Sequence, residues 1–469
     1  MIKFYNSVIW YQEETQMGRK IKFSVSTTQT ILLSFLVAIL VGSALLSLPI
    51  SSADGVSVGY LDALFTATTA TCVTGLVTLP TVSAWSSFGH VVILLLIQIG
   101  GLGIITVMSG FMIMINRKMG IGDRLLIQDA FNLNTMSGLS KFVKKILIGT
   151  FVVEGIGALL YMIVFVPEFG ARGIWISVFN SVSAFCNAGI DIIGESSLCD
   201  YALNPLVNLV TSALIILGGI GYIVWWDLIR VFKNRSAKNR RIFRHLTLHS
   251  KIAIVATAYL VFAGAFLFLI FEYNNPQTIK DLGFFDKLQV SFFQSVTTRT
   301  AGFASVPQEA LTNASSLLSV VLMMIGGSPV GTAGGIKTVT VVVLLCSAFS
   351  TVKNKATSTL FDRRLSFDSI RKAAAVVTTF LVIWFTSTLL ILATNDANIL
   401  DVVYETASAT ATVGLTRAFT TALNDFGKII IIITMYLGRI GPISLAVAFG
   451  SRPDNQNVIS EPSEDISIG

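Results

Sequence analysis

Four six-residue peptides of one design recur along the chain: Thr71-Cys72-Val73-Thr74-Gly75-Leu76, Phe185-Cys186-Asn187-Ala188-Gly189-Ile190, Thr298-Arg299-Thr300-Ala301-Gly302-Phe303 and Thr410-Ala411-Thr412-Val413-Gly414-Leu415. Their glycines are spaced 114, 113 and 112 residues apart (75 to 189, 189 to 302, 302 to 414). Glycine tolerates dihedrals that turn successive backbone carbonyls toward a common axis. A ring of such carbonyls replaces the water oxygens of a desolvated cation, as in potassium-selective filters. None of the four peptides carries an acidic side chain, so carbonyls rather than carboxylates are the expected ligands. They belong to Val73, Thr74 and Gly75; Asn187, Ala188 and Gly189; Thr300, Ala301 and Gly302; and Thr412, Val413 and Gly414. One glycine in a membrane helix is usually a packing contact. Four at near-equal spacing, each behind a short apolar stretch and ahead of a full span, point to one repeated device.

A second mark follows each filter glycine at 24 to 29 residues: Gly100-Gly101-Leu102-Gly103, Gly218-Gly219-Ile220-Gly221, Gly326-Gly327-Ser328-Pro329 and Gly438-Arg439-Ile440-Gly441. Each is expected mid-span, where glycine lets backbones approach closely. No strand precedes them, which removes a dinucleotide-binding reading. The third mark opens a longer interruption, Gly326-Gly327-Ser328-Pro329-Val330-Gly331-Thr332-Ala333-Gly334-Gly335-Ile336-Lys337. Pro329 and five glycines rule out a continuous helix, and non-helical backbone at membrane depth must line a cavity. The reading is a gate beneath the filter; a rigid kink filling a packing gap is the alternative. Arg439 stands where the other three repeats have glycine (Gly101, Gly219 and Gly327). An intramembrane arginine faces the bundle interior, where it would be an electrostatic barrier or a latch on the gate, or else snorkels or pairs with an acid. Glu154 is also intramembrane; a helix–helix hydrogen bond or a dimer contact suits it better than an ion site. His245 and His249 lie four apart but without Cys or acid nearby, so no metal is expected beyond K⁺ or Na⁺ in the pore.

These peptides need a membrane scaffold. Hydrophobic residues make up 53% of the chain and charged ones 13%, about half the usual charged share of a soluble domain, with a mean hydropathy of +0.75. Eight segments are apolar over about 20 residues, enough to cross a bilayer: roughly 28–50, 90–115, 145–166, 206–229, 252–271, 316–349, 373–394 and 428–450. Shorter apolar stretches such as Leu61–Cys72 and Trp175–Cys186 lie within each pair and suit re-entrant helices, whose partly negative C-terminal ends would point at the ion. The expected fold is therefore all-α and polytopic: four parallel span–pore helix–span repeats around one pseudo-fourfold pore, with eight transmembrane and four pore helices. Repeats with an even number of crossings keep one orientation. The divisions are an N-terminal segment 1–27, repeats 28–140, 141–250, 251–370 (with the gate at 326–337) and 371–450, and a tail 451–469.

Lys and Arg concentrate on alternate linkers: Arg117, Lys118, Arg124, Lys141, Lys144 and Lys145; Arg230, Lys233, Arg235, Lys238, Arg240, Arg241, Arg244 and Lys251; Lys353, Lys355, Arg363, Arg364, Arg371 and Lys372. By the positive-inside rule these linkers and both termini are cytoplasmic. The net charge of +7 thus belongs to the membrane surface, with lipid and not nucleic acid as its partner. Met1 to Ser26 lacks the pattern of a cleaved signal peptide. An alternating-access transporter would show inverted repeats, a voltage-gated channel an Arg-rich span, and a membrane enzyme clustered His, Cys or acids.

The four glycine loops, the Ser328–Lys337 run and Gly438-Arg439-Ile440-Gly441 together resemble the Trk/Ktr/HKT superfamily of potassium transporters from about residue 28 to 450. The resemblance is nearest to bacterial Ktr-type membrane subunits, because the first span begins near residue 28 and leaves no room for the extra N-terminal hairpin of Trk-type proteins. It implies K⁺ uptake across the plasma membrane, stimulated by Na⁺, through a homodimer with one pore per subunit. It also implies a cytosolic octameric ring of KtrA-like regulatory subunits binding ATP or ADP; the chain has no phosphate-binding loop, so nucleotide is expected only on that partner. Glycine in all four loops goes with K⁺ preference in this family, whereas some HKT relatives have serine where this chain has Gly75. The family's gate often has glycine where this chain has Val330, which implies a stiffer gate here. A Na⁺ or nonselective monovalent cation pathway of the same architecture is the alternative.

Overall fold

The computed structural model describes residues 27–115, 138–233, 242–355 and 357–441, with 120, 124–125 and 127–128 of the first linker. The N-terminal segment, the C-terminal tail and basic residues such as Arg117, Lys118, Arg235, Lys238, Arg240 and Arg241 lie outside the described residues.

Each repeat opens with a span: α1 (Thr27–Leu46), α5 (Leu139–Phe169), α9 (Leu248–Glu272) and α13 (Phe367–Thr394). Among the described residues these four helices are long and apolar enough to cross a membrane by themselves. A shorter helix follows in each: α2 (Tyr60–Cys72), α6 (Ala171–Cys186), α10 (Phe284–Thr297) and α14 (Ile399–Ala411). The second spans are α3 (Ser87–Leu102) with α4 (Ile104–Met114), α7 (Pro205–Gly219) with α8 (Tyr222–Lys233), α11 (Asn313–Met324) with α12 (Thr338–Val352), and α15 (Asp425–Ile440). Each second span begins on a side-chain cap: Ser86, Asn204, Thr312 and Asn424 accept from backbone N–H groups of the first turn.

The second spans of the first two repeats are not the straight helices their hydropathy suggests. The chain turns by 96° between α3 and α4 and by 94° between α7 and α8. The bends fall at Gly103 (φ 82°) and Gly221 (φ 93°), a region closed to most other residues. The final glycine of the repeated mark is therefore a corner, not only a packing contact. In the third repeat the helix stops at Met324 and resumes at Thr338, as Pro329 and the glycines require.

The repeats close into a ring. Each second span packs on the short helix of the next repeat: α3 on α6, α7 on α10, α11 on α14, and α15 back on α2. An ion pair between Lys428 and Asp62 (2.7 Å) fastens that last joint. Polarity is distributed from inside to outside. The short helices bury Thr66, Thr68, Thr69, Ser177, Ser181, Ser183, Thr406 and Ser408, whereas the first spans expose Leu33, Val37, Phe151, Leu159, Phe262, Phe266 and Phe385. That is the pattern of a protein whose outer solvent is lipid. His245 and His249 fall on separate helices, Ile242–His245 and α9, so they do not share one helix face.

Candidate ion pore

The four short helices end on one axis. Val73, Asn187, Thr300 and Thr412 all take left-handed dihedrals (φ 56°, 59°, 63° and 51°), which reverses the chain just past each helix. The filter glycines follow with φ of 100°, 64°, 84° and 100°. They touch in a cycle. A Cβ on Gly75 would lie 2.5 Å from the Ala188 carbonyl, one on Gly189 2.6 Å from that of Ala301, one on Gly302 2.3 Å from that of Val413, and one on Gly414 2.3 Å from that of Thr74. Each glycine thus leaves room for a carbonyl of the next repeat, and the four glycines come together with Thr74, Ala188, Ala301 and Val413 around a single constriction.

Hydroxyls on the short helices brace this backbone. Thr69 Oγ1 accepts from Gly75 N (2.9 Å), Ser183 Oγ from Ile190 N (3.2 Å) and Ser408 Oγ from Gly414 N (3.0 Å), while Thr297 donates to the Phe303 carbonyl (2.6 Å). Each stands five or six residues before its filter glycine. That offset is present in the sequence but carries meaning only once the short helices are placed.

Outside the constriction lies a cavity of 310 Å³ bordered by all four glycines and by Asp191, Glu195 and Glu309, with no Lys or Arg in its lining. Ser197 donates to Asp191 Oδ2 (2.8 Å). Burial pushes the Asp191 carboxyl up from 3.8 to about 6.

On the helix side of the filter peptides the 326–337 segment packs against the second and fourth repeats. Ser328 N and Thr332 N donate to the carbonyls of Gly219 and Gly218 (2.8 and 3.1 Å), and Tyr222 N donates to the Val330 carbonyl (2.9 Å). Thr332 Oγ1 donates to the Phe185 carbonyl beside the second filter peptide (3.0 Å). Gly334 packs against Thr412 of the fourth. Ser328 Oγ pairs with Thr338 Oγ1 at the start of α12 (2.8 Å), and within the segment Lys337 Nζ donates to the Ala333 carbonyl (2.5 Å). Arg439 reaches it from the fourth repeat: Nη1 donates to the Thr332 carbonyl (2.6 Å) and Nη2 to the Gly100 carbonyl of the first repeat (2.5 Å). One guanidinium therefore joins three repeats through two charge-assisted bonds. Val330 sits at φ 61°, where a β-branched residue is strained.

Three comparisons with known proteins bear on this geometry. The family model described as TrkH, cation transport protein, matches residues 2–459. The chain belongs to the TrkH family of cation transport proteins. It is 38% identical to the potassium/sodium uptake protein NtpJ of Enterococcus hirae over 97% of this chain and 100% of that one. It is 38% identical to Ktr system potassium uptake protein B of Bacillus subtilis (94% and 96% covered), and 34% identical to the protein of that name from Vibrio alginolyticus (100% and 100%). Its fold is similar to that of the potassium transporter TrkH from Vibrio parahaemolyticus, with a TM-score of 0.71 at 17% identity, covering 92% of this chain and 86% of that one. A TrkH-family chain is a multi-pass membrane transport protein and not an enzyme, as the sequence resemblance implies.

Two residues gain partners that spacing did not supply. Glu154 of this TrkH-family chain accepts from Gln98 Nε2 at both carboxylate oxygens (3.1 and 3.3 Å), a helix–helix bond between the first and second repeats. Arg299, in the third filter peptide, is buried and reaches the Gly326 carbonyl.

Proposed function

We propose that this chain is the K⁺-translocating, pore-forming subunit of a Ktr-like uptake system in the plasma membrane, with both termini cytoplasmic. The observation that carries the reading is the closed cycle of glycines, each accommodating a carbonyl of the next repeat. Such a ring replaces a cation's hydration shell with fixed oxygens, and the acidic cavity outside it favours cations over anions. The 326–337 segment is the gate and Arg439 its latch. What supports this is that the segment packs against Phe185 and Thr412 beside two filter peptides and is held by backbone bonds that can break without unfolding a helix. The naming of two relatives as Ktr system potassium uptake protein B supports K⁺ as the ion and a system of more than one component. By its resemblance to Ktr-type membrane subunits the chain works as a homodimer. A cytosolic octameric KtrA-like ring binds ATP or ADP and acts on the gate, and Na⁺ stimulates flux. K⁺ is the substrate; the nucleotide resides on the partner. Passage of Na⁺ through the same pore is the second reading, favoured by the name of the Enterococcus hirae relative, a potassium/sodium uptake protein.

The test is growth on low K⁺ of a bacterium lacking its own K⁺ uptake, expressing this chain with a matching cytosolic subunit. Rescue, together with uptake of K⁺ in preference to Na⁺, is the expected result. Absence of rescue with both subunits verified in the cell would overturn the K⁺ reading, and Na⁺ uptake under those conditions would establish the second.

A further inference from the structure

We propose that Arg299 is a positioning residue that ties the third repeat's filter segment to the base of the 326–337 gate, so that its removal releases the gate. The inference rests on the gate reading above.

The repeats differ at one place. The residue just before the left-handed turn is small in three of them, Cys72, Cys186 and Ala411, and is Arg299 in the third. In those three, the second span packs directly on the end of the short helix. A Cβ on Gly100, Gly218 or Gly438 would meet the carbonyl of Thr71, Phe185 or Thr410 at 1.9, 2.0 and 2.1 Å. In the third repeat the corresponding Gly326 faces the Gly334 carbonyl instead. The gate has taken the place of the direct contact, and Arg299 spans the gap: its Nη2 donates to the Gly326 carbonyl at 3.2 Å. The repeat whose second span is parted by the 326–337 segment is thus the one with a guanidinium at this position.

Packing alone does not account for a cation here. Arg299 is 7% exposed, its Nε has no hydrogen-bond partner, and no ion pair with it occurs among the described residues. Besides Gly219 and Gly327, it borders an apolar crevice formed by Ile216 and Val261. A buried guanidinium without a carboxylate is costly, and an apolar chain of similar length would fill that crevice without the cost. The bond it makes is to the first residue of the gate, and the next residue along the chain is Thr300, a filter ligand. Arg299 and Arg439 therefore hold the gate at two carbonyls, Gly326 and Thr332.

The experiment measures ⁸⁶Rb⁺ and ²²Na⁺ uptake into proteoliposomes holding the full chain. Arg299→Gln, Arg299→Met and Arg299→Lys are compared in the intact protein and in one lacking residues 328–335. Losing one charge-assisted bond at the gate's base should raise the maximal rate on the order of tenfold. The half-saturation concentration and the Rb⁺/Na⁺ ratio should stay unchanged, since the filter's own oxygens are kept. Arg299→Lys, which keeps the charge and a donor, should stay close to the parent. In the deleted background the same substitutions should add nothing, because two changes acting through one element are not additive. Arg299→Met fits the apolar crevice and decides the matter if Arg299→Gln is not recovered folded. Parent-like rates in a chain whose deletion form is fast would overturn the inference alone. So would a rise of equal size in the deleted background, or an altered ion ratio, which would mean that Arg299 acts on the filter itself. Deletion without a gain in flux would overturn the gate reading and this inference with it.

Discussion

Replacing Gly302 with alanine should damage ion selection more than it damages the fold. The added Cβ would stand 2.3 Å from the Val413 carbonyl oxygen, 3.0 Å from Gly189 Cα and 3.2 Å from Gly414 Cα, at φ 84°. Left-handed backbone costs an L-residue about 1–2 kcal/mol, and overpacking adds about 1–3 kcal/mol, so roughly 2–5 kcal/mol of strain falls on the ring. Ordinary contact begins at 3.4 Å, so the Val413 carbonyl must retreat by about 1 Å. Oxygen–ion distances at metal sites hold to about 0.2 Å, and 1.4 kcal/mol is already a factor of about ten. The expected outcome in proteoliposomes is at least a roughly tenfold fall in ⁸⁶Rb⁺ uptake, with the Rb⁺/Na⁺ ratio moving toward one. Gly55→Ala is the control: Gly55 shares a positive φ of 69°, but nothing lies within 4 Å of its Cβ position. It should carry the backbone cost without changing ion preference. Parent rate and parent ion ratio in a folded Gly302→Ala protein would refute the carbonyl ring.

Three further outcomes follow from the same geometry. Arg439→Gln removes two bonds to carbonyls, each worth about 1.5–3 kcal/mol when charge-assisted; flux should rise at least about tenfold, and unchanged uptake kinetics would dismiss the latch. Deleting residues 328–335 should raise flux, and an unchanged rate in protein that inserts normally would count against the gate. Asp191, beside Glu195 and Glu309 at the outer cavity, is ionised above about pH 6 and neutral below it. Uptake from subsaturating K⁺ should therefore decline between pH 7.5 and pH 5, and Asp191→Asn should flatten that profile. Stability runs in the opposite sense. A carboxyl raised by folding contributes stability that is full below its ordinary pKa of 3.8 and lost as pH rises through about 6. Asp191→Asn should accordingly raise the melting temperature of the detergent-solubilised protein at pH 7.5.

Much of the fold was legible because a bilayer restricts the choices. Backbone groups in lipid must be satisfied within helices, so apolar length alone located the first spans, and stretches too short to cross had to be α2, α6, α10 and α14. The bends at Gly103 and Gly221 were not legible: hydropathy counts apolar residues and is blind to direction, so α3–α4 and α7–α8 read as single spans. Glu154 could be assigned to a helix–helix bond or a dimer contact from its isolation, but Gln98 as its partner depends on how two repeats are rotated against each other. Arg299 gave no periodic signal at all, since its counterparts Cys72, Cys186 and Ala411 are small.

What the chain order alone determined is the set of backbone conformations. Gly75, Gly189, Gly302 and Gly414 recur because only glycine meets both the dihedrals and the close approach, and Pro329 with its neighbouring glycines breaks a helix in any surroundings. What only the tertiary structure decided is which groups meet across repeats. Arg439 bonds to the carbonyls of residues 107 and 339 positions away, Thr332 and Gly100. The ring closes through α15 on α2, its last and first repeats. Such contacts depend on the rotation and depth of whole helices, which are set by the sum of many packing interactions and not by any local pattern.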